Sequence, residues 1–394
     1  FIFFVFLTIS IVYSIKVIYL GNLNSEKKIE STSPLKNNYR ADIVDRNGNF
    51  VVKTINTIDI GINPKLVIDK KKLLINLRLI FPNKDFDKVK KKLNKNSFFY
   101  LEKKVSQENY QKLRLLGDKS IISEEKLSRI YPQENLFSHI IGQIDDDNNG
   151  ISGIEKYYDY ELKKIKKSLK LTIDTDIQFL IREELVRFKE IFKNIGSAAI
   201  LMNVNNGEII SMVSLPDFNL NKREDIKDKI YINRATKGVY ELGSVFKTFT
   251  LAGSLNENVI DTDTEFKDLP KKIKCAGNSI GEYDDKIPTD LTAEQILIRS
   301  GNIGSVRIAQ ELGIEKFKKF LKTIGILDKL EFDIHEVGEP QAGRWGKCKL
   351  ATAAFGHGIS TTLLNLAKAY SVIVNGGYEI KPTLIKKNLN KDIS

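Results

Sequence analysis

The stretch Gly243–Leu255, "GSVFKTFTLAGSL", decides how the chain is interpreted, because it places a serine three residues before a lysine at the start of an apolar segment. Ser25, Ser33 and Ser123 also have a lysine at i+3, so the spacing alone says little in a chain with 62 Lys and Arg among 394 residues. These three serines lie in polar segments, where nothing would remove water from the lysine. The surroundings of Ser244 separate it from them.

The residues around Ser244 are those that an activated serine needs. Gly243 permits a tight turn into a helix, which puts Ser244 at the positive end of the helix dipole. Lys247 then falls on the same face, one turn later. An apolar setting lowers the pKa of a lysine, so that its neutral amine can take the serine proton when no histidine serves. A capping serine followed by a surface lysine fits the same residues.

A second motif lies in "LIRSGNIGSVRIA", Leu297–Ala309, where Ser300-Gly301-Asn302 interrupts two helical stretches. A hydroxyl and an amide two residues apart on a turn can point into one cleft, where the hydroxyl relays a proton and the amide holds a peptide carbonyl. Ser254-Leu255-Asn256 has the same spacing but lies within a predicted helix. Its position in a loop makes Ser300 the better candidate.

Other patterns outline the organisation of the chain. The apolar stretch Phe1–Leu20 would span about 30 Å as a helix, which matches the hydrocarbon core of a bilayer and predicts a membrane anchor. The polar residues 21–39 indicate a linker. Asn47-Gly48 predicts a hairpin turn, and residues 64–130 contain lysine-rich helices with solvated faces. A strand entering a helix near Leu169 predicts the start of another domain.

The second half of the chain begins with a strand and an amphipathic helix whose N-cap is Asp174 or Thr175. Two apolar strands follow in Gly196–Leu215, joined at Asn205-Asn206-Gly207. The pattern is then mostly helical as far as Asn375.

Composition argues against several classes of function. The net charge of +12 comes mainly from lysines mixed with Asn and Glu, and no arginine-rich, aromatic-interleaved patch predicts nucleic-acid binding. Cys275 and Cys348 form no CxxC motif, and they can either pair or remain free thiols. His139, His335 and His357 are too far apart in sequence for a local metal site. The sequence therefore predicts no metal and no cofactor.

The chain resembles the class B penicillin-binding proteins, which are peptidoglycan D,D-transpeptidases, and most of all their cell-division (FtsI) type. Ser244 to Lys247 matches the family's S-x-x-K, and Ser300 to Asn302 matches its S-x-N; asparagine rather than aspartate at 302 favours the division type. The other matching stretches, in the family's order, are "RADIVDRNG", "YPQENLFSHIIGQIDDDNNGISGIEKYYD", "LTIDTDIQ" and "FGHGISTTLLNLAKAYSVIVNGG". Ala41 and Leu242 replace an expected glycine and proline.

The resemblance implies an α+β protein with a single N-terminal transmembrane helix, an elongated α+β pedestal and a penicillin-binding α/β domain related to the β-lactamases. The expected division is an anchor at 1–20, a linker at 21–39, a pedestal or dimerisation-like domain at 40–168 and a transpeptidase domain at 169–394. The expected location is the bacterial inner membrane, crossed once, with the globular part on the periplasmic side.

The resemblance also implies the chemistry. Ser244 would attack the penultimate D-alanine carbonyl of a peptidoglycan stem peptide, with Lys247 as general base, Ser300 as proton shuttle and Asn302 orienting the donor. β-Lactams would acylate Ser244. The family's partners are a SEDS glycosyltransferase and small division membrane proteins.

One departure from the family is large. Its third motif, K-T-G or K-S-G on a strand edge, does not occur in this chain, and "KTIG" at Lys322 lies in a helical region before "FGHG". We therefore expect a chain truncated at both ends, without the C-terminal strands of the transpeptidase domain, and poorly active as it stands.

Two other interpretations remain. "GNSIG", Gly277–Gly281, fits the G-x-S-x-G elbow of α/β-hydrolases, but "KKIKCA" and "EYDDKIP" flank it where an apolar strand and a helix are needed, so we interpret it as a surface turn. The other interpretation is a membrane-anchored β-lactam sensor or a non-catalytic scaffold with the same fold.

Overall fold

A computed structural model of the chain describes residues 2–23, 39–222, 228–346 and 348–386. The helices in these ranges are α1 (Ile2–Leu23), α2 (Lys70–Ile80), α3 (Phe86–Asn94), α4 (Gln107–Leu115), α5 (Ser138–Ile141), α6 (Gly153–Tyr157), α7 (Asp159–Lys164), α8 (Thr175–Phe192), α9 (Lys247–Asn256), α10 (Ala293–Ile298), α11 (Asn302–Leu312), α12 (Ile314–Thr323), α13 (Lys349–Ala353) and α14 (Leu363–Val374). Single turns of 3₁₀ helix cover Pro64–Leu66, Asp228–Ile230 and Gly243–Phe246.

The strands of the described residues are β1 (Ile43–Val44), β2 (Phe50–Ile62), β3 (Phe99–Val105), β4 (Ile121–Ile130), β5 (Leu169–Lys170), β6 (Ser197–Met202), β7 (Ile209–Leu215), β8 (Tyr240–Glu241), β9 (Glu265–Phe266), β10 (Lys272–Cys275), β11 (Asn278–Gly281), β12 (Leu291–Thr292) and β13 (Ser360–Thr361). The predicted mixed α+β class is confirmed. The chain divides into two compact units, one of residues 1–39 and 54–129 and the other of residues 40–53 and 130–394.

The first unit is built on β2, with which both β3 and β4 pair. Helices α2 to α4 cover the apolar side chains of these strands, such as Ile60 and Leu101, which are almost fully buried. Within α3, Phe86, Val89 and Leu93 are buried at helical spacing, while the lysines between them are exposed. The lysine-rich segment is therefore an amphipathic helix with a solvated face, as predicted.

The second unit begins with the hairpin that Asn47-Gly48 predicts. Gly48 has φ +95°, and the Asp45 side chain accepts hydrogen bonds from the backbone N–H groups of Asn47 and Asn49. The first strand of this hairpin, β1, pairs in parallel with β5. The hairpin and the start of the second half of the chain therefore share one sheet. Strand β5 leads directly to α8, whose N-cap is Asp174.

The pattern after residue 196 is confirmed in part. Strands β6 and β7 form the predicted antiparallel hairpin, with Ser197 opposite Leu215 and Gly207 in the turn at φ +74°. The last helix, α14, ends at the predicted place. The structure adds the strands β8 to β13, which the sequence did not predict, because strands of two to four residues are too short to establish a period of two.

The predicted anchor at residues 1–20 falls on α1. Among the described residues, no helix combines the length and the apolar character needed to cross a membrane, so the predicted transmembrane helix is not found there. Most of the predicted linker at 21–39 lies outside the described residues, as do residues 387–394.

A buried ionic cluster fixes the N-terminal piece of the second unit. The Arg40 side chain is fully buried; its Nε donates to the carboxylate of Glu155, also fully buried, and its Nη1 donates to Asp159 Oδ1 at 2.7 Å. Glu155 and Asp159 belong to α6 and α7. The guanidinium therefore ties residue 40 to two helices that lie more than a hundred positions later in the chain.

We expect Glu155→Ala to destabilise the second unit by about 3 kcal/mol, because it leaves a buried guanidinium without its fully buried partner. Urea unfolding followed by the fluorescence of Trp345, the single tryptophan and a residue of this unit, measures the loss. Glu161→Ala, which removes an exposed carboxylate from α7, is the matched control and should change little. Equal losses in the two variants would contradict the role assigned to Glu155.

Candidate active site

Ser244 lies in the 3₁₀ turn Gly243–Phe246, which leads directly into α9. Gly243 has φ +62°, so the tight turn predicted at this glycine is present. The Ser244 side chain is exposed, and among the described residues its hydroxyl has no hydrogen-bond partner. Phe246 and Phe249, which follow it, are fully buried and meet edge to face, so the turn that carries the exposed serine is anchored in the core.

Lys247 is the first residue of α9, and only 2% of its surface is exposed. Its Nζ donates to the backbone oxygen of Ser300 at 2.5 Å and to Ser300 Oγ at 2.9 Å. Burial lowers the pKa of Lys247 to about 8, and the carboxylate of Glu282 acts in the opposite direction. A lysine at the surface keeps its proton until pH 10 or so, so near neutral pH a much larger fraction of this amine is neutral and able to act as a base.

Ser300 lies on the turn between α10 and α11, where the predicted loop is found. Its φ is +53°, a left-handed backbone conformation that a non-glycine residue rarely adopts. In this conformation the backbone oxygen and the hydroxyl of Ser300 both face the Lys247 amine. The structure thus brings two of the predicted site residues into direct contact, across 53 positions of sequence.

Asn302 is the first residue of α11, and its side chain is held from outside its own helix. Its Nδ2 donates to the backbone oxygen of Gly281 at 2.9 Å. Its backbone N–H donates to Glu282 Oε2 at 2.7 Å, and the N–H of Ile303 donates to Glu282 Oε1 at 2.9 Å. Glu282 was not among the predicted site residues, because nothing in the spacing of a residue 20 positions upstream links it to Asn302.

The turn that carries Ser244 is supported by the segments that follow α12. Tyr370 of α14 donates its hydroxyl hydrogen to the Val245 backbone oxygen at 2.6 Å, and Thr250 of α9 donates to the Ala354 backbone oxygen at 2.7 Å. Gly356, in the "FGHG" stretch, has φ +82°, and a Cβ added there would lie 2.1 Å from the backbone oxygen of Gly243. Only a glycine allows this approach.

A second lysine with a lowered pKa lies close to the same stretch. Lys349 donates from Nζ to the backbone oxygen of Gly358. Burial lowers its pKa, and Glu241 acts in the opposite direction. Glu241 also accepts from the Gly358 backbone N–H at 3.0 Å and lies 3.1 Å from Nδ1 of His357. The sequence did not single out Lys349 or Glu241.

The competing motifs differ from Ser244 in their surroundings. Ser254 is fully buried and its hydroxyl donates to the Ile308 backbone oxygen, so it packs α9 against α11. Ser123 lies on the exposed part of β4, where residues i and i+3 point to opposite faces. Ser279 lies on β11 opposite Lys274, in a hairpin that turns at Ala276-Gly277 instead of a strand–turn–helix elbow. Ser25 and Ser33 lie outside the described residues.

The two cysteines, whose state the sequence left open, form a disulfide. It joins Cys275, the last residue of β10, to Cys348, the residue before α13, with 5.7 Å between the Cα atoms. Among the described residues no group of three or more His, Cys, Asp and Glu side chains is arranged to hold a metal ion.

Two family models match this chain. Residues 36–184 match the penicillin-binding protein dimerisation domain, and residues 197–392 match the penicillin binding protein transpeptidase domain. The second match contains Ser244, Lys247, Ser300 and Asn302.

Several known proteins are similar in sequence to this chain. The chain is 28% identical over 353 residues to a probable peptidoglycan D,D-transpeptidase FtsI of Caulobacter vibrioides, with 88% of this chain and 59% of the relative covered. It is also 28% identical to stage V sporulation protein D of Bacillus subtilis, with the same coverage. Against the peptidoglycan D,D-transpeptidase FtsI of Escherichia coli K12 the identity is 27%, with 88% and 64% covered. The chain thus spans about three fifths of the length of these relatives.

We expect Gly356→Ala to destabilise the turn that carries Ser244, because the added methyl group would meet the backbone oxygen of Gly243 at 2.1 Å. Gly377→Ala is the matched control: Gly377 also has a positive φ, +91°, but a Cβ there meets no atom within 4 Å. Both variants carry the backbone strain, so Gly356→Ala should lose about 1–3 kcal/mol more than the control, the usual cost of overpacking. The Trp345 fluorescence transition in urea provides the comparison, and equal losses would mean that the contact is not tight.

Proposed function

Because the chain belongs to the class B penicillin-binding proteins, we propose that it is a peptidoglycan D,D-transpeptidase that forms peptide cross-links in the septal cell wall through an acyl-enzyme on Ser244. The observation that carries this proposal is the fully buried amine of Lys247, with a pKa near 8 and hydrogen-bonded to Ser300, three residues after an exposed serine. The names of the FtsI relatives support the reaction type.

In the first half of the reaction, the neutral amine of Lys247 takes the proton of the Ser244 hydroxyl while Oγ attacks the penultimate D-alanine carbonyl of a stem peptide. The carbonyl oxygen becomes an oxyanion in a tetrahedral intermediate. Ser244 is in the first turn of its helix, where backbone N–H groups lack intrahelical acceptors, so its own N–H is available to this oxyanion. The bond to the terminal D-alanine then breaks, and its nitrogen receives the proton from Lys247 by way of Ser300.

In the second half, an amine of another stem peptide attacks the ester carbonyl on Ser244. The amine loses a proton to Lys247, the new amide forms, and the Ser244 oxygen regains its proton. Asn302 orients the donor peptide through its side-chain amide, whose Nδ2 is fixed on Gly281. A β-lactam acylates the same serine because its strained amide occupies the place of the donor peptide.

We propose the bacterial inner membrane as the location, with a single anchor at residues 1–20, a linker at 21–39, and the globular part on the periplasmic side. The disulfide Cys275–Cys348, which suits an oxidising compartment, supports the periplasmic side. We further propose a pedestal at 40–168 and a transpeptidase domain at 169–394. The expected partners are stem peptides, a SEDS glycosyltransferase and small division membrane proteins.

The sensor or scaffold alternative shares the S-x-x-K pair and is not favoured by any observation on this chain. The match of residues 36–184 to the dimerisation domain supports the synthase instead. Release of D-alanine from a stem-peptide donor distinguishes the two functions, since a sensor is acylated without turnover.

We expect a fluorescent penicillin to label the full chain covalently and Ser244→Ala to lose that label, because the acyl bond forms on the Ser244 oxygen. In-gel fluorescence of the denatured protein measures it. Ser279→Ala is the matched control, since Ser279 is the serine of the competing elbow motif, and it should label like the wild type. A label that survives in Ser244→Ala, or one that disappears in Ser279→Ala, would contradict the proposal.

The rate of labelling should rise with pH and level off above about pH 8, because the reactive form contains the neutral amine of Lys247, whose pKa is about 8. Below that pKa the neutral fraction, and with it the rate, changes roughly tenfold per pH unit. Stopped-time labelling between pH 6 and pH 10 measures the profile. A rate that is flat across this range would exclude Lys247 as the base.

A further inference from the structure

Glu282 directly follows β11, and its carboxylate spans the first turn of α11. One oxygen accepts the backbone N–H of Asn302 at 2.7 Å and the other accepts that of Ile303 at 2.9 Å. The first N–H groups of a helix have no acceptor within it and carry the positive end of its dipole. A carboxylate 20 residues away in sequence therefore takes the capping role that a residue next to the helix usually has.

The segment that carries Glu282 is itself fixed in place. Strands β10 and β11 pair from Lys272–Gly281 to Cys275–Asn278, so the two ends of the hairpin are held together. The disulfide from Cys275 ties the turn end of the hairpin to Cys348. At the open end, the Gly281 backbone oxygen accepts from the Asn302 side chain. The hairpin thus presents a backbone oxygen and a carboxylate, side by side, to the S-x-N motif.

What Glu282 holds is the conformation of the motif. Ser300 has a positive φ, and in that conformation its backbone oxygen and hydroxyl both meet the Lys247 amine. A strained residue of this kind persists only when its surroundings over-determine it. The N–H groups of Asn302 and Ile303, which Glu282 fixes, belong to the residues that directly follow the Ser300-Gly301 turn.

The Glu282 carboxylate is also the charged group that raises the pKa of Lys247. It favours the protonated amine, against the effect of burial. The ionisable side chains of α10, α11 and α12, which pack against α9, are exposed: Glu294, Arg307, Glu311 and all those of α12. On α14, Tyr370 packs against Phe249 of α9, and its hydroxyl donates to the Val245 backbone oxygen. Lys349 of α13 donates to the Gly358 backbone oxygen, and the charged group that raises its pKa is Glu241.

We propose that Glu282 is a positioning residue of the acylation site: its carboxylate holds the Ser300-Gly301-Asn302 turn against Lys247 and adds a negative charge to the surroundings of the amine. This inference rests on the proposed function of Ser244 and Lys247, and adds to it a residue outside the three family motifs. The two oxygens of the carboxylate face the helix start that bears Asn302. This one position lets the carboxylate affect both the turn and the Lys247 amine. A glutamine has one acceptor oxygen and no charge, so it can reproduce only half of the contact.

The test compares Glu282→Gln with the wild type in the full chain, using the pH profile of labelling by a fluorescent penicillin. We expect the plateau rate to fall roughly tenfold to a hundredfold, as displaced catalytic groups do. We also expect the pH of half-maximal rate to fall by roughly half a pH unit or more, because the loss of a nearby negative charge destabilises the protonated amine. Asp174→Asn, which removes a carboxylate from the N-cap of α8 in the same unit, is the matched control and should leave both unchanged.

A second measurement does not depend on labelling. In protein with ¹³C-labelled lysine, the ε-carbon signal of Lys247, assigned by its loss in Lys247→Arg, should titrate at a lower pH in Glu282→Gln than in the wild type. A purely structural role would lower the labelling rate at every pH and leave this titration unmoved, and that result would overturn the proposal. An absence of labelling in the wild type would instead count against the proposed function, while the titration would still decide the role of Glu282.

Discussion

The site depends on one hydrogen-bonded pair, the Lys247 amine and Ser300, enclosed where water does not compete. A buried ammonium is costly unless its donors are satisfied, and here the backbone oxygen and the hydroxyl of Ser300 accept two of them. The same burial lowers the pKa of the amine to about 8. The free-energy cost of burying the charge thus makes the amine neutral at a pH where it can act as a base. The two hydrogen bonds to Ser300 offset part of that cost, so the side chain stays buried.

This constraint explains why so much of the second unit converges on two short turns. The 3₁₀ turn bearing Ser244 receives Tyr370 from α14 and the close backbone approach of Gly356, while the turn bearing Ser300 is held through Glu282 from the hairpin. Every one of these supports comes from a distant part of the chain. A local S-x-x-K sequence acquires chemistry only where such supports exclude water from the lysine. The same spacing at Ser123 lies on an exposed part of β4 and has no such supports.

Patterns local in sequence could be predicted. The Asn47-Gly48 hairpin, an N-cap at Asp174 or Thr175, the β6–β7 hairpin and the start of α9 each follow from neighbouring residues, and so do the helical faces rich in lysine. The roles of Lys247 and Ser300 were expected from family resemblance, since the spacing left a surface lysine equally possible. Glu282, the disulfide and the short strands β8 to β13 were out of reach, because each depends on partners that only the folded chain brings together.

The position of Ser300 illustrates how a fold holds a strained residue at a functional place. Left to itself, a serine at φ +53° would relax to a negative φ. Here relaxation would rotate its backbone oxygen away from a buried amine and pull α11 away from the two oxygens of Glu282, so three separate contacts oppose it. The strain, of the order of 1–3 kcal/mol, is matched by one buried charge-assisted hydrogen bond, and the contacts of Glu282 add to it. The lysine therefore stabilises the turn that solvates it, and the turn fixes the lysine three residues from the exposed hydroxyl of Ser244.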